Sequence, residues 1–169
     1  METGYKVLDA MTKMPVTVNH TDTVSSCAQI MAKHRLGSLL ILEKKELKGI
    51  VTEGDLIRKV ISKGLNPTEI LVSEIMSQDI ISISPHMDIH EAMLTMNNFD
   101  IRHAPVLHEG KLSGFLTLKD ILKIQPELFD ILAEKYRVQE SDSDERNYID
   151  LDTDSDLEDD EQLIKPYYD

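Results

Sequence analysis

The sequence predicts an α+β fold in which two copies of a β-α-β-β-α unit pack with pseudo-two-fold symmetry. Three observations carry that expectation. Residues recur at a fixed offset of 65 positions without a gap: Met11 with Met76, Met31 with Met96, Leu42 with Leu107, Leu47 with Leu112. Gly49, Thr52 and Asp55 likewise answer Gly114, Thr117 and Asp120. Within each copy the hydrophobic period switches between that of a strand and that of a helix. Finally, one such unit has too little core to be stable alone, so two packed sheet to sheet form a sensible object.

The elements follow in order. Val16, Thr17 and Val18 read as a short strand, followed by a helix over 23–34 with Val24, Cys27, Ala28 and Met31 on one face. Asp22 or Thr23 supplies its N-cap oxygen. Strands at 38–42 and 47–51 are joined by the polar Glu43-Lys44-Lys45-Glu46, a hairpin pattern. A helix over 53–63 stops at Gly64, where a left-handed conformation carries no Cβ penalty. In the second copy the expected strand is 80–83, the helix 88–97 and the hairpin strands 103–107 and 111–116. A last helix begins after Thr117, and Pro126 opens a further one reaching about 137. The domain plan is therefore repeat 1 at 7–63, a linker at 64–72, repeat 2 at 73–125, a C-terminal helix at 126–138 and a tail at 139–169.

Composition narrows the functional classes. Aliphatic side chains and Met must build the core, since Trp is absent. The single Cys27 excludes an internal disulfide framework and suits a reducing interior. No signal pattern or apolar run long enough for a membrane helix is visible, so a soluble, cytoplasmic protein is expected. The net charge of −13 is concentrated: residues 139–169 hold 13 acidic and two basic residues. The body is close to neutral and shows no clustered basic footprint for nucleic acid. The tail's composition predicts disorder.

The residues kept in both copies without an obvious packing reason are Gly49-Ile50-Val51-Thr52-Glu53-Gly54-Asp55 and Gly114-Phe115-Leu116-Thr117-Leu118-Lys119-Asp120. In each, Gly precedes a Thr at a strand-to-helix turn, with Asp three residues on. One reading is a capping box, in which the Thr oxygen bonds the third amide and the carboxylate reaches back. Glu does that reaching more often than the shorter Asp. The other reading is a nucleoside site: helix amides and a hydroxyl suit phosphate oxygens, and a carboxylate's two oxygens suit vicinal ribose hydroxyls.

The duplicated unit and its Gly-x-x-Thr-x-x-Asp endings resemble a pair of cystathionine-β-synthase (CBS) domains, the Bateman module, over about 7–123. Asp9-Ala10-Met11-Thr12 and Glu74-Ile75-Met76-Ser77 are similar to that family's lead-in to its first strand. The resemblance implies a non-catalytic regulatory module that binds AMP, ADP, ATP or S-adenosylmethionine between its repeats, with no resident cofactor or metal. It further implies a face-to-face homodimer and a separate regulated partner, protein or ribonucleoprotein.

Carried over by position, Asp55 and Asp120 would hold ribose hydroxyls, and Thr52 and Thr117 would touch phosphate or ribose. Thr17-Val18 and Ser82-Ile83 would offer backbone edges to adenine, with Val16 and Ile81 as apolar walls. Arg102-His103-Ala104-Pro105-Val106 fits the family's basic residues before Pro-Val, whereas the matching Gly37-Ser38-Leu39-Leu40-Ile41 has no base. The expectation is therefore two unequal clefts. The first comprises Val16, Thr17, Val18, Thr52, Asp55, Arg102 and His103 and is phosphate-competent. The second comprises Ser38, Ile81, Ser82, Ile83, Thr117 and Asp120. Arg102 can also be read as a solvated surface charge, and His103 as the start of a strand.

Weaker signals concern the tail and one histidine pair. Asp150, Asp152, Asp154 and Glu161 match a calcium-loop spacing but lack its turn glycine, for which Ser155 stands. Ser141, Ser143, Thr153 and Ser155 sit in acidic contexts that suit an acidophilic kinase. His86 and His90 are four apart, yet Pro85 and the cap residue Asp88 place them on different faces, so no metal site is expected. The alternative to ligand sensing is a constitutive interaction module that works through the acidic tail.

Overall fold

The computed structural model describes residues 3–129 and residue 133. The first helix, which the repeat pattern did not reveal, is the short α1 (Val7–Ala10). It is followed by β1 (Thr17–Asn19), α2 (Val24–His34), β2 (Ser38–Glu43), β3 (Glu46–Thr52) and α3 (Glu53–Lys59). The second copy contributes α4 (Ile89–Asn98), β4 (His103–His108), β5 (Lys111–Thr117) and α5 (Leu118–Ile124).

Local chemistry sets most boundaries. The Thr23 hydroxyl oxygen accepts the Ser26 amide at 3.2 Å and opens α2, which buries Val24, Cys27 and Met31. Asp88 opens α4 by accepting the His90 amide at 2.9 Å. The two hairpins share one turn geometry: Lys44 and Lys45 at φ 48 and 70, Glu109 and Gly110 at φ 50 and 75. Two consecutive positive φ values match strand twist, so both connections are two-residue turns. The helix expected over 53–63 stops being α-helical at Lys59; Val60 is fully buried, and Ile61–Lys63 tightens to a 3₁₀ turn before Gly64 at φ 66. Beyond α5 the described chain is a 3₁₀ turn, Pro126–Leu128. The remainder of the expected C-terminal helix and the whole tail, with its calcium-like and serine motifs, lie outside the described residues.

β1, β2 and β3 form one sheet, with β1 parallel and β3 antiparallel to β2. β4 and β5 form the second, and its register repeats that of β2 and β3, down to the bulge after Val106 that answers the bulge after Ile41. The expected strand at 80–83 is reduced to one parallel bridge, Ile83 to Val106. Proline explains the difference. Ile83 donates to the Pro105 carbonyl and accepts from the Leu107 amide, both at 3.0 Å. The next rung toward residue 81 requires an N–H at 105, which Pro lacks and its counterpart Leu40 has.

The repeats exchange their leading segments. Val7 and Leu8 of α1 donate to Met87 and Pro85 of the second copy, at 2.9 and 3.0 Å. Val72, 65 positions on, donates to Asp22 of the first copy at 2.8 Å. Val7 accordingly belongs to the core of Ile83, Ile89, Met93, Met96, Val106 and Leu116. Val72 and Ile75 belong to that of Val24, Cys27, Met31, Leu39, Ile41 and Val51. Each core is therefore completed by chain from the other copy, and β3 and β5 meet between them.

Candidate functional site: two strand-to-helix turns and one cleft

At both turns the capping reading is realised in full. The Thr52 amide and hydroxyl donate to Asp55 Oδ2 at 2.9 and 2.6 Å, and Thr52 Oγ1 accepts the Asp55 amide at 3.2 Å. Thr117 and Asp120 repeat the arrangement at 3.2, 2.6 and 3.2 Å. Asp, despite its shorter stem, reaches back because the Thr hydroxyl joins the amide in meeting it. One carboxylate oxygen of each Asp is thereby committed, leaving Oδ1 as the variable group.

The two Oδ1 atoms differ. Lys59 holds Asp55 Oδ1 at 2.9 Å and is itself fixed by donating to the Ile75 carbonyl at 2.7 Å. Burial by itself would raise the Asp55 pKa; the Thr52 hydroxyl, Lys59 and the Thr52 amide outweigh it and hold the carboxyl below its usual value. Among the described residues Asp120 Oδ1 meets the longer Lys123 contact alone, at 3.4 Å, and Asp120 is more open to solvent.

A cleft of about 890 Å³ lies beside the Asp120 turn. It brings together Val16, Ser38, Thr52, Arg102, His103, Thr117 and Asp120 from the sequence-predicted set. Asp55, Thr17, Val18, Ile81 and Ile83 do not line it. The side chains of Val18 and Ile83 are buried in the two cores, and Ser82 lines a smaller, separate pocket of about 370 Å³. The cleft thus gathers Val16 and Arg102 with Asp120 and with Thr52 of the other turn, while the Asp55 charge still reaches His103. Segment exchange is the reason: Thr12 pairs with Phe115 of β5, so the chain from Thr12 to Val16 runs along the Asp120 turn before entering β1.

Sequence reasoning missed several contributors to this cleft. Arg35 and Arg58 come from repeat 1, Lys119 from the turn itself, and the lead-in supplies Thr12, Met14 and Pro15. Arg35, Arg58, Arg102 and Lys119 make no ion pair among the described residues. These four cations share the cleft with the carboxylates of Glu53, Asp100 and Asp120, a slight positive excess that suits an anionic guest. A helix C-cap (Arg35) and an exposed helix position (Arg58) carry no sequence signature of a cleft, so only Lys119, beside Asp120, was available to be read.

His103, read either as a base before Pro-Val or as the start of a strand, is the first residue of β4. It is half-buried, its ring 5.8 Å from that of Phe115. Burial, reinforced by the Arg102 charge, lowers its pKa below the usual 6.5 despite the opposing pull of Asp55. It is a neutral imidazole at pH 7. Since the unfolded chain takes the proton more readily, the His103 contribution to stability is complete above pH 6.5 and declines as the pH falls below it. The expected result is an NMR titration midpoint for His103 below 6.5, and a flatter acid limb of stability in His103→Gln.

Other chemistry is limited. Burial and the nearby Asp22 charge push the Cys27 thiol up to about 11, which leaves it protonated and inert. His86 precedes α4 and meets His108 edge-on at 5.4 Å. Among the described residues no cluster of three or more His, Cys, Asp or Glu could hold a metal, and no helix is long and apolar enough to cross a membrane.

Comparison with known proteins places this geometry. The CBS domain profile matches twice, at 7–62 and 72–127. An uncharacterized protein of Methanopyrus kandleri is 39% identical over 124 residues, covering 72% of this chain and 63% of that one. The CBS domain-containing protein YhcV of Bacillus subtilis is 30% identical over 115 residues, covering 68% and 81%. The chain thus spans less than two thirds of the Methanopyrus relative's length. Among solved structures, an uncharacterized conserved protein from Pyrococcus horikoshii superposes with a TM-score of 0.67 at 29% identity, covering 73% of this chain and 94% of that one. With both repeats matched and the fold shared, this chain belongs to the CBS-domain family as a tandem pair of repeats.

Proposed function

We propose that this chain is a non-enzymatic sensor that binds an adenine nucleotide (AMP, ADP or ATP) in the Asp120 cleft and reports occupancy to a separate protein or ribonucleoprotein partner. The observation that carries this reading is the meeting, in one cleft, of Thr117 and Asp120 with the unpaired Arg102 and the apolar Pro15 and Val16. Asp120 Oδ1 offers an acceptor for ribose, Arg102 a planar donor set for phosphate, and Val16 a wall for the base. CBS pairs generally bind adenosine ligands and regulate partners.

The lead-in supplies a route from ligand to partner. Residues 12–16 join Met11, locked in the second core, to β1 of the first sheet. A guest pressed against them biases how the two cores sit. The family resemblance supports a homodimer, for which Ile57, Ile61 and Phe99 are exposed apolar contacts at 59, 59 and 57%.

A thermal-shift panel of AMP, ADP, ATP and S-adenosylmethionine tests the reading. A nucleotide at a hundredfold excess over its Kd adds about 2.7 kcal/mol to stability and raises the melting temperature. A shift with S-adenosylmethionine alone assigns the cleft to that ligand. No shift with any of the four leaves the constitutive interaction module.

A further inference from the structure

We infer that the cleft selects a nucleoside polyphosphate over a monophosphate, through a second pair of cations that repeat 1 contributes. The inference rests on the nucleotide reading of this cleft. Its basis is the distribution of charge across the two walls. On the repeat 2 side, Arg102 and Lys119 flank the Thr117 turn: the Arg102 carbonyl accepts the Leu118 amide at 3.0 Å, and Lys119 adjoins Asp120 within α5. On the repeat 1 side stand Arg35 and Arg58.

Both repeat 1 arginines are positioned by local backbone. Arg58 lays its guanidinium along Gly54, with one terminal nitrogen 2.6 Å from where a Cβ would stand, and the bare glycine lets it rest there. Arg35 ends α2 in the left-handed region, φ 54 and ψ 48, and turns the chain toward β2 at the cleft wall. The duplication does not produce this cation set as a by-product. The counterparts at offset 65 are Asp100 for Arg35, Lys123 for Arg58 and Gly37 for Arg102. The two walls are chemically different, and cations from both face one space.

A nucleotide seated with its ribose at Asp120 meets Arg102 and Lys119 with its first phosphate. Arg35 and Arg58 are then left to be matched from the opposite wall, which takes further phosphate groups. The volume of about 890 Å³ lies near the top of the range for small-ligand sites, roughly 300–1,000 Å³. The space exceeds what a monophosphate fills, and the four cations outnumber the lining carboxylates Glu53, Asp100 and Asp120 by one.

Isothermal titration calorimetry on the full chain with AMP and with ATP tests this. ATP is expected to bind about tenfold or more tightly than AMP, the scale of one added charge-assisted contact. Arg58→Gln and Arg35→Gln, both at exposed positions, are expected to weaken ATP several-fold more than AMP and so remove most of that preference. Equal affinities for AMP and ATP, or equal losses of both in the arginine variants, overturn the polyphosphate inference and leave the nucleotide reading standing. Binding of neither nucleotide overturns both.

Discussion

Gly114→Ala is expected to destabilise the fold by about 1–3 kcal/mol, the range for overpacking a filled core, and Gly49→Ala by a similar amount. Neither glycine is needed for its backbone angles; both are needed for approach. A Cβ on Gly114 would stand 2.5 Å from Met11 Sδ and 3.0 Å from the Thr12 carbonyl oxygen. A Cβ on Gly49 would stand 2.5 Å from Met76 Sδ and 3.0 Å from the Ser77 carbonyl oxygen. The methionine has some freedom to move, but the carbonyls do not. Thr12 accepts from and donates to Phe115 at 2.9 Å each way, and Ser77 exchanges bonds with Ile50 at 2.9 and 3.0 Å. Denaturant unfolding of the single variants and of Gly114→Ala with Met11→Ala checks the mechanism. In the double variant the cost of the alanine should shrink, since the sulfur it strikes is gone. Additive losses would place the damage at the Thr12 carbonyl and not at the sulfur.

Asp120→Ala is expected to weaken adenine-nucleotide binding by roughly ten- to hundredfold, the loss of charge-assisted bonds to ribose. Asp55→Ala is expected to leave binding near that of the parent and to cost about 1–2 kcal/mol of stability, the worth of a helix cap. The difference follows from Oδ1: Lys59 occupies it at Asp55, while Asp120 faces the cleft. The low folded-state pKa of Asp55 adds a second readout. A depressed carboxyl contributes stability above its ordinary value of 3.8 and loses it as the pH falls through the folded value. The stability gap between the parent and Asp55→Asn should therefore close in acid. Calorimetry and acid titration of both variants check this, and equal affinity losses for Asp55→Ala and Asp120→Ala would remove the assignment of the site to the Asp120 cleft.

Much of this was legible from residues. Thr23 and Asp88 announce their helices as caps, and the matched Gly, Thr and Asp positions locate both turns. Local hydrogen bonding decides these features within a few residues, so sequence spacing carries them. Pro105 shows the limit: its ring was read as part of a family pattern, but its missing N–H also cuts the parallel ladder that Ile81 would have joined. Val60, at the core, ends α3 four residues before the glycine that marks the turn. In both places a tertiary demand overrides a local signal.

The sequence by itself determined that there are two copies of one unit, where each copy turns from strand to helix, and that the copies differ chemically at Gly37 and Arg102. Those properties depend on spacing and on side-chain type alone. Only the tertiary structure decided which copy meets which. The exchange of leading segments is held by Met11 beneath Gly114 and Met76 beneath Gly49, contacts between residues 103 and 27 positions apart. No local pattern encodes such a pairing, because close approach of two backbones is a property of the packed core. That exchange carries Val16 to the Asp120 turn, where Arg102 already stands across its own hairpin and Arg35 and Arg58 line the same space.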